Sequence, residues 1–208
     1  IYAEDGSRLW LRYSKGNQTN IVSKENTPTI QIAIQELKDT WKGSPIRLII
    51  EKDKSLNNEG FVIKKQDEKI CISSPSDKGL LYGAYHLLRM QAMNLEVEKK
   101  LPIIENPSYT LRILNHWDNL DGTIERGYAG RSLWQWEELP STLSTRYETY
   151  ARANASIGIN GTVLNNVNAS PQILSAPYLQ KVKALANVFR PYGIKIYLSV
   201  NFASPMVL

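Results

Sequence analysis

Cysteine, histidine and long apolar runs are scarce in this 208-residue chain, and their scarcity excludes several classes of protein. Cys71 is the only cysteine, so no disulfide can form within the chain. The two histidines, His86 and His116, are far apart and have no flanking cysteine, which argues against a zinc site. No apolar stretch approaches the roughly 20 residues of a membrane helix. We therefore expect neither a metal nor a membrane span.

Motifs for phosphate, nucleotide and nucleophilic chemistry are also missing. The stretch 127–130 has too few glycines and the wrong flanks for a phosphate-binding loop. Neither a dinucleotide fingerprint nor a Ser-His-Asp set occurs in the sequence. These absences exclude the common nucleotide-dependent enzymes and the serine hydrolases.

The formal net charge of +5 fits either a nucleic acid or an acidic sugar such as a uronate as partner. The lysines are scattered, however, and those in strand-like segments indicate solvated edges that resist aggregation. These are Lys52, Lys54, Lys64, Lys65, Lys69, Lys99 and Lys100. No nucleic-acid-binding motif accompanies them, so we expect no nucleic-acid partner.

Residues 1–107 mix strand-like and helical patterns and predict an N-terminal α/β domain with a mixed sheet. One helix is predicted to start at Thr27-Pro28 and to end at Gly43, and a second runs from 76 to about 93. Strands are predicted at 9–13, 21–22, 46–50, 61–63, 70–72 and 101–104.

Residues 108–208 have a different order of elements, in which predicted strands and helices alternate. The strands cover 111–115, 162–164 and 194–200, and the helices cover about 141–155 and 176–189. Polar residues follow the C-terminal end of each predicted strand, which is typical of parallel βαβ units. We therefore predict a parallel sheet in this half of the chain.

The stretch 111–136 concentrates side chains that are suited to a binding site. It holds three of the five tryptophans and one of the two histidines. Its apolar strand ends in a polar and aromatic string that includes His116, Trp117 and Asp118. Such a strand end is typical of a site on the rim of a sheet or barrel.

Two roles are open for each of these side chains. The indole of Trp117 can cover the apolar face of a pyranose or pack beneath the loop. His116 can bind a sugar hydroxyl or be a satisfied histidine of the rim. Asp118, with Asp121 and Glu125, can supply a glycosidase acid and base or organise the loop. The two later tryptophans of the stretch are assigned to packing.

Asparagines follow the second and third strands of this half. Asn165, Asn166 and Asn168 surround the apolar Val167, and Asn201 follows the third strand. An asparagine amide both donates and accepts hydrogen bonds, so a sugar ring edge is a natural partner, although asparagine is also common in turns. We take Asn165, Asn166 and Asn201 as candidate sugar-binding residues.

The candidate residues stand within longer strings of unusual composition. These are Arg112, Leu114 to Asn119, Asp121-Gly122, Ile124 to Gly130, Ser132, 158–161, 165–169 and 198–205. The strings resemble the signature of the α-glucuronidases of glycoside hydrolase family 67. The resemblance covers most of residues 109–208 and, more weakly, the region before them.

The resemblance implies an N-terminal α/β domain, here 1–107, followed by a (β/α)8 barrel. Residues 108–208 would supply the first three β/α units of that barrel. A complete barrel takes about 250 residues, so the barrel is expected to be truncated in this chain. We expect the missing part to be covalently present in the natural protein.

The resemblance also implies a reaction, the inverting hydrolysis of the bond between (4-O-methyl)glucuronic acid and xylose in glucuronoxylan-derived oligosaccharides. It places the catalytic acid and base on later strands, so no catalytic residue and no activity are expected in this chain. It assigns Trp117 to sugar stacking and Val167 to contact with the 4-O-methyl group. No cofactor is implied.

Two alternative functions stay open, a non-catalytic carbohydrate-binding fragment and another barrel glycosidase such as a hexosaminidase-like enzyme. The chain begins with Ile1 rather than methionine, so we expect a periplasmic or extracellular protein, with a cytoplasmic one as the alternative. A homodimer is a candidate assembly for the full enzyme.

Overall fold

The computed structural model describes residues 9–11, 15–168, 170–202 and 204. The chain divides into two compact units, Ile1–Thr110 with Ala155–Gly158 and Leu111–Asn154 with Ile159–Leu208. Within the described ranges, no helix combines the length and the apolar character needed to cross a membrane.

The first unit contains a five-stranded mixed sheet and two α-helices. Its elements are β1 (Ile21–Ser23), α1 (Pro28–Thr40), β2 (Ile46–Ile50), β3 (Phe61–Gln66), β4 (Lys69–Ser74), α2 (Asp77–Ala92) and β5 (Ile103–Glu105). The strand order is β1-β2-β4-β3-β5, with β1, β2 and β4 parallel and β3 antiparallel to both of its neighbours. The predicted mixed sheet is confirmed.

Both helices begin where the sequence predicts, because a hydroxyl caps each of them. Thr27 Oγ1 accepts a hydrogen bond from Ile30 N at 3.2 Å. Pro28 occupies the start of α1, where a backbone donor is not needed. Ser76 Oγ accepts from Gly79 N at 3.3 Å at the start of α2. These short polar signals are local, and the sequence alone is enough to recognise them.

Several boundaries in this unit differ from the predictions; β5, for example, begins at Ile103 rather than at residue 101. Helix α1 ends at Thr40 rather than at Gly43, because the backbone of Trp41 is extended and its indole donates to Ser44 O at 2.9 Å. The strand predicted at 9–13 is wrong at residues 9–11, because residues 9 and 10 form a turn and residue 11 belongs to no strand; residues 12 and 13 lie outside the described residues.

Helix α2 packs closely against the sheet at a glycine. A Cβ on Gly83 would lie 2.6 Å from Ile72 Cγ2 on β4 and 3.3 Å from ring atoms of Phe61 on β3. Because such distances leave no room for a side chain, the helix approaches the two strands more closely than a larger residue would allow.

Gly83→Ala is expected to destabilise the protein, although alanine is the better helix former by about 1 kcal/mol. The added methyl group must displace Ile72, and overpacking of this kind costs about 1–3 kcal/mol. Urea unfolding measures the change. An Ile72→Ala background is the control, because it removes Cγ2 and should make the same substitution neutral or stabilising. A gain in stability for Gly83→Ala alone would contradict the close packing.

The second unit is built around a parallel sheet of three short strands. Its elements are β6 (Ile113–Asn115), most of α3 (Thr145–Ser156), β7 (Gly161–Val163), α4 (Ala176–Phe189) and β8 (Lys195–Tyr197), and the strand order is β6-β7-β8. The parallel pairing is as predicted. Helix α3 begins later than predicted, because the residues before it turn, with Thr142 N donating to Glu138 O at 2.8 Å.

One face of this sheet lies against α3. Leu114, Thr162 and Ile196 are register partners across the three strands. Thr162 is fully buried, and its Oγ1 lies 3.0 Å from the hydroxyl of Tyr150 on α3. Because partners in register point to the same side of a sheet, this row of residues faces the helix.

Candidate functional site

The loop after β6 folds back on itself through hydrogen bonds. Asn119 N donates to Thr123 O, and Glu125 N donates to Trp117 O, both at 2.8 Å. The side-chain amide of Asn119 donates to Thr123 Oγ1 at 2.9 Å and to Glu125 O at 2.8 Å. At the turn of the loop, Asp121 Oδ1 accepts from Thr123 N at 2.9 Å and from its hydroxyl at 2.6 Å. The loop is therefore ordered by its own polar groups.

The carboxylate of Asp118 anchors this loop from inside and is 2% exposed. Its Oδ2 accepts from Ser132 Oγ at 2.5 Å and from Leu133 N at 3.1 Å. Its Oδ1 lies 3.5 Å from His116 Nδ1. The backbone oxygen of Asp118 accepts from Asn166 N at 2.9 Å. Asp118 thus joins both ends of the loop to the segment after β7.

The pKa of Asp118 lies below its ordinary value. Burial, the largest single influence, raises this pKa, but the hydrogen bonds from His116, Ser132 and the Leu133 amide, together with the charge of His116, outweigh it. A carboxyl group with a depressed folded pKa stabilises the fold above its unfolded pKa of about 4. That stabilisation is lost as the pH falls through the folded pKa.

His116 extends the network to α3 and β7. Its Nε2 lies 2.7 Å from the hydroxyl of Tyr150, which lies 3.0 Å from Thr162 Oγ1. Burial is the main cause that raises the pKa of Tyr150, so its phenol stays protonated and can donate. A continuous line of polar groups therefore joins the loop, the helix and the sheet.

A buried aromatic cluster surrounds this line of polar groups. Trp134 is 1% exposed, and its indole N–H donates to Leu164 O at 2.8 Å. Its ring centroid lies 5.1 to 6.0 Å from those of four neighbours, His116, Tyr147, Tyr150 and Phe189. Trp136 is equally buried. The packing role predicted for both tryptophans is confirmed.

The two asparagines after β7 are buried and bonded within the protein. Asn165 Nδ2 donates to Ser199 O, and its Oδ1 accepts from Ser199 N, both at 3.0 Å, so its amide extends the pairing of β7 with β8. Asn166 Nδ2 donates to Asn119 Oδ1 at 3.2 Å and to Glu125 O at 3.3 Å. Both amides hold neighbouring segments together.

Three of the predicted site residues stay at the surface. Trp117 is 38% exposed and Val167 is 45% exposed. The bond from Asn166 to Glu125 joins the two segments that carry them. Asn201 is also exposed and follows β8. The structure therefore separates the predicted set into exposed side chains and side chains that are bonded inside, which are His116, Asp118, Asn165 and Asn166.

The carboxylates of the loop form hydrogen bonds with other groups of the same loop. Asp118 and Asp121 accept from backbone and hydroxyl donors, and a hydrogen bond to Glu125 raises the pKa of Tyr128. Across the described residues, no group of three histidine, cysteine, aspartate or glutamate side chains is placed to hold a metal ion. The geometry supports loop organisation as the role of these carboxylates.

The partners of Asp118 and His116 were not predicted from the sequence. Ser132 stands in one of the strings that carry the resemblance but has no assigned role there, and Tyr150 lies in the helix predicted at about 141–155. A tyrosine hydroxyl in a helix that packs on a sheet is a usable signal, because buried polar groups need a hydrogen-bond partner. The identity of that partner depends on the folded loop.

Two family models match the chain. The glycosyl hydrolase family 67 N-terminus matches residues 40–87, and the glycosyl hydrolase family 67 middle domain matches residues 91–208. A probable alpha-glucuronidase A of Aspergillus clavatus is 40% identical over 247 residues, and the alpha-glucuronidase A of Emericella nidulans is 37% identical over 251. Each match covers 99% of this chain, which spans 29% of the relative's length.

Solved structures with a similar fold include glycosidases. A GH138 enzyme targeting pectin rhamnogalacturonan II has a TM-score of 0.60 at 15% identity, covering 91% of this chain and 26% of its own. The N-acetyl-beta-hexosaminidase of Streptomyces plicatus has a TM-score of 0.58 at 14% identity, and the match covers 91% of this chain and 43% of that enzyme. A GH115 4-O-methyl-alpha-glucuronidase has a TM-score of 0.54 at 14% identity, and the match covers 87% of this chain and 28% of that enzyme. At these identities the likeness shows the fold alone.

Asp118→Asn is expected to lower the stability of the protein at pH 7 by about 1.5–3 kcal/mol, because it removes the charge from a buried hydrogen-bonded carboxylate. The difference from the wild type should shrink as the pH falls from about 4 through the folded pKa. Urea unfolding between pH 7 and pH 2 measures it.

Asp121→Asn is the matched control for this measurement, because the Asp121 carboxylate lies in the same loop and is exposed. It should change stability much less at every pH. A constant difference between the wild type and Asp118→Asn over the whole pH range would show that the Asp118 carboxylate is not depressed in pKa.

Proposed function

Because the chain belongs to glycoside hydrolase family 67, we propose that it supplies part of the substrate site of an α-glucuronidase. The proposed reaction is inverting hydrolysis of the α-1,2 bond between (4-O-methyl)glucuronate and a terminal xylose of glucuronoxylan-derived oligosaccharides. The names of the two fungal relatives support this activity. The chain spans less than a third of their length, so the reaction of the whole enzyme is part of the proposal.

The observation that carries the proposal is the exposed indole of Trp117 on a firmly held loop. The backbone oxygen of Trp117 is bonded to Glu125 N, while its side chain is 38% exposed. Neighbouring Asp118 is bonded to the buried Ser132, and His116 lies within hydrogen-bond distance of the half-buried Tyr150. A flat apolar ring with a rigid support is suited to cover one face of a pyranose.

We further propose that the second unit is the start of a (β/α)8 barrel. Its three parallel strands alternate with α3 and α4, which is the repeat of that fold. Parallel sheets are stable when both faces are covered, so further strands and helices are needed to complete this one. In this proposal the exposed side chains at the carboxyl ends of the strands lie at the mouth of the barrel.

The catalytic acid and base are proposed to lie on later strands. An inverting site needs two carboxyl groups about 6.5–9.5 Å apart, with a water molecule between one of them and the sugar. The carboxylates of Asp118 and Asp121 are engaged by donors of their own loop, which argues against either as acid or base. The 208-residue chain alone therefore stays predicted to be inactive.

Asn165, Asn166 and Asn201 stay predicted members of the substrate site. The amides of Asn165 and Asn166 already bind protein groups, so we propose that these two residues act mainly by positioning Val167 and the loop after β6. Asn201 is exposed after β8 and is kept as a candidate for contact with a sugar hydroxyl.

A non-catalytic carbohydrate-binding protein is the second candidate, because the same exposed residues would serve it. Turnover by the full-length natural enzyme separates the two. A hexosaminidase-like activity is supported only by the similarity in fold to the Streptomyces plicatus enzyme, which is 14% identical. Comparing uronate with amino-sugar substrates tests it.

Trp117→Ala in the full-length enzyme is expected to lower kcat/KM, because the sugar loses its stacking surface. The loss of transition-state binding energy should be about 1–3 kcal/mol. The melting temperature should change little, since the indole is partly exposed. Steady-state kinetics and thermal unfolding on the same preparation measure both quantities.

Trp134→Ala is the contrasting variant for this test. Its indole is fully buried, so truncation should cost about 3–5 kcal/mol of stability. If Trp117→Ala behaves in the same way, with a large drop in melting temperature and near-normal turnover of the remaining folded enzyme, Trp117 is a structural residue.

Val167→Asn is expected to weaken the preference for methylated substrate. One lost methyl contact is worth about 1 kcal/mol, which is roughly a fivefold change in the ratio of kcat/KM for methylated over unmethylated glucuronate. Val167→Ile keeps the apolar surface and should keep the preference. An unchanged ratio in Val167→Asn would count against contact with the methyl ether.

A further inference from the structure

The face of the parallel sheet that turns away from α3 carries a second row of register partners. Thr162 faces α3, as its contact with Tyr150 shows. Successive residues of a strand point to opposite faces, so the next row faces the other way. Its members are Asn115, Val163 and Tyr197.

A glycine shapes this second face. Gly161 is on the central strand, and a Cβ on it would lie 2.9 Å from Ile113 Cγ1 and 2.9 Å from Tyr197 Cε2. The aromatic ring of Tyr197 therefore lies across β7 and approaches Ile113 on the far strand. Only a glycine leaves room for the ring in this position. The ring of Tyr197 is half-buried and covers Gly161.

Asn115 lies on the same face, at the carboxyl end of β6, and is exposed. Within the described part of the chain, no hydrogen bond engages its side-chain amide. Asn165 and Asn166 differ in this respect, because their amides bind protein groups. A side-chain amide that offers both a donor and an acceptor matches two neighbouring hydroxyls of a pyranose.

We propose that Asn115 and Tyr197 contact the sugar substrate directly. The amide of Asn115 binds ring hydroxyls, and the ring of Tyr197 supports the apolar face of the same sugar unit. The inference rests on the proposed function, because it takes this face as the inner face of a barrel whose mouth holds the substrate. It adds two contacts below the rim position of Trp117.

The test uses the full-length natural enzyme with Asn115→Ala, and with Leu114→Ala as matched control. Leu114 is the preceding residue of the same strand and points to the opposite face. Isothermal titration with glucuronic acid, and separately with xylobiose, measures binding without turnover. The kcat/KM for aldobiouronic acid measures the reaction, and melting temperatures monitor folding.

Asn115→Ala should weaken the affinity for one of the two sugars about tenfold, with an unchanged melting temperature. Leu114→Ala should bind both sugars like the wild type. Weaker binding of glucuronic acid alone assigns Asn115 to the glucuronyl unit, and weaker binding of xylobiose alone assigns it to the xylosyl unit. Tyr197→Leu keeps the apolar bulk without the aromatic ring and should show a loss for the same sugar.

The outcomes separate this inference from the proposed function. Wild-type affinities in Asn115→Ala and Tyr197→Leu, in an enzyme that turns over aldobiouronic acid, overturn the inference and leave the function standing. An enzyme without turnover overturns the proposed function, and the titrations still decide the inference. A wild type that binds neither sugar and does not turn over aldobiouronic acid overturns both.

Discussion

A buried carboxylate needs hydrogen-bond donors, and in this chain that need organises the segment from which the proposed site is built. The return of the loop brings Ser132 and Leu133 to the carboxylate of Asp118. The same return carries Trp134 into the aromatic cluster, where it contacts His116. One charged group thus joins the two ends of the loop next to the aromatic cluster and to the indole of Trp117.

Residues bonded inside the protein and residues left at its surface have different tasks in this arrangement. The inner ones share hydrogen bonds with helix α3, with strand β7 and with the segment after β8. Each is satisfied, so none is free to move with a ligand. Trp117 and Val167 are carried on that fixed frame with much of their side chains exposed. A sugar would meet a surface whose shape is already set before binding, which lowers the entropic cost of association.

The sequence predicted much of the fold because its signals are local. The caps at Thr27 and Ser76, the apolar spacing of the helices and the polar ends of the parallel strands all lie within a few residues of what they specify. The residue types of the candidate site were also evident. Which of them stay exposed could not be predicted, because it depends on distant partners. Asn165 is bonded to Ser199, 34 residues further along the chain, and Asn166 is bonded to Asn119, 47 residues earlier. Only the folded chain therefore shows that these two asparagines are buried while Asn201 is exposed.

The amide of Asn165 takes the place of a peptide group between β7 and β8, with its nitrogen toward Ser199 O and its oxygen toward Ser199 N. Deamidation would turn that nitrogen into a second carboxylate oxygen and set it against the carbonyl of Ser199. Chemical ageing at this one position would therefore repel the two strand ends that it now joins.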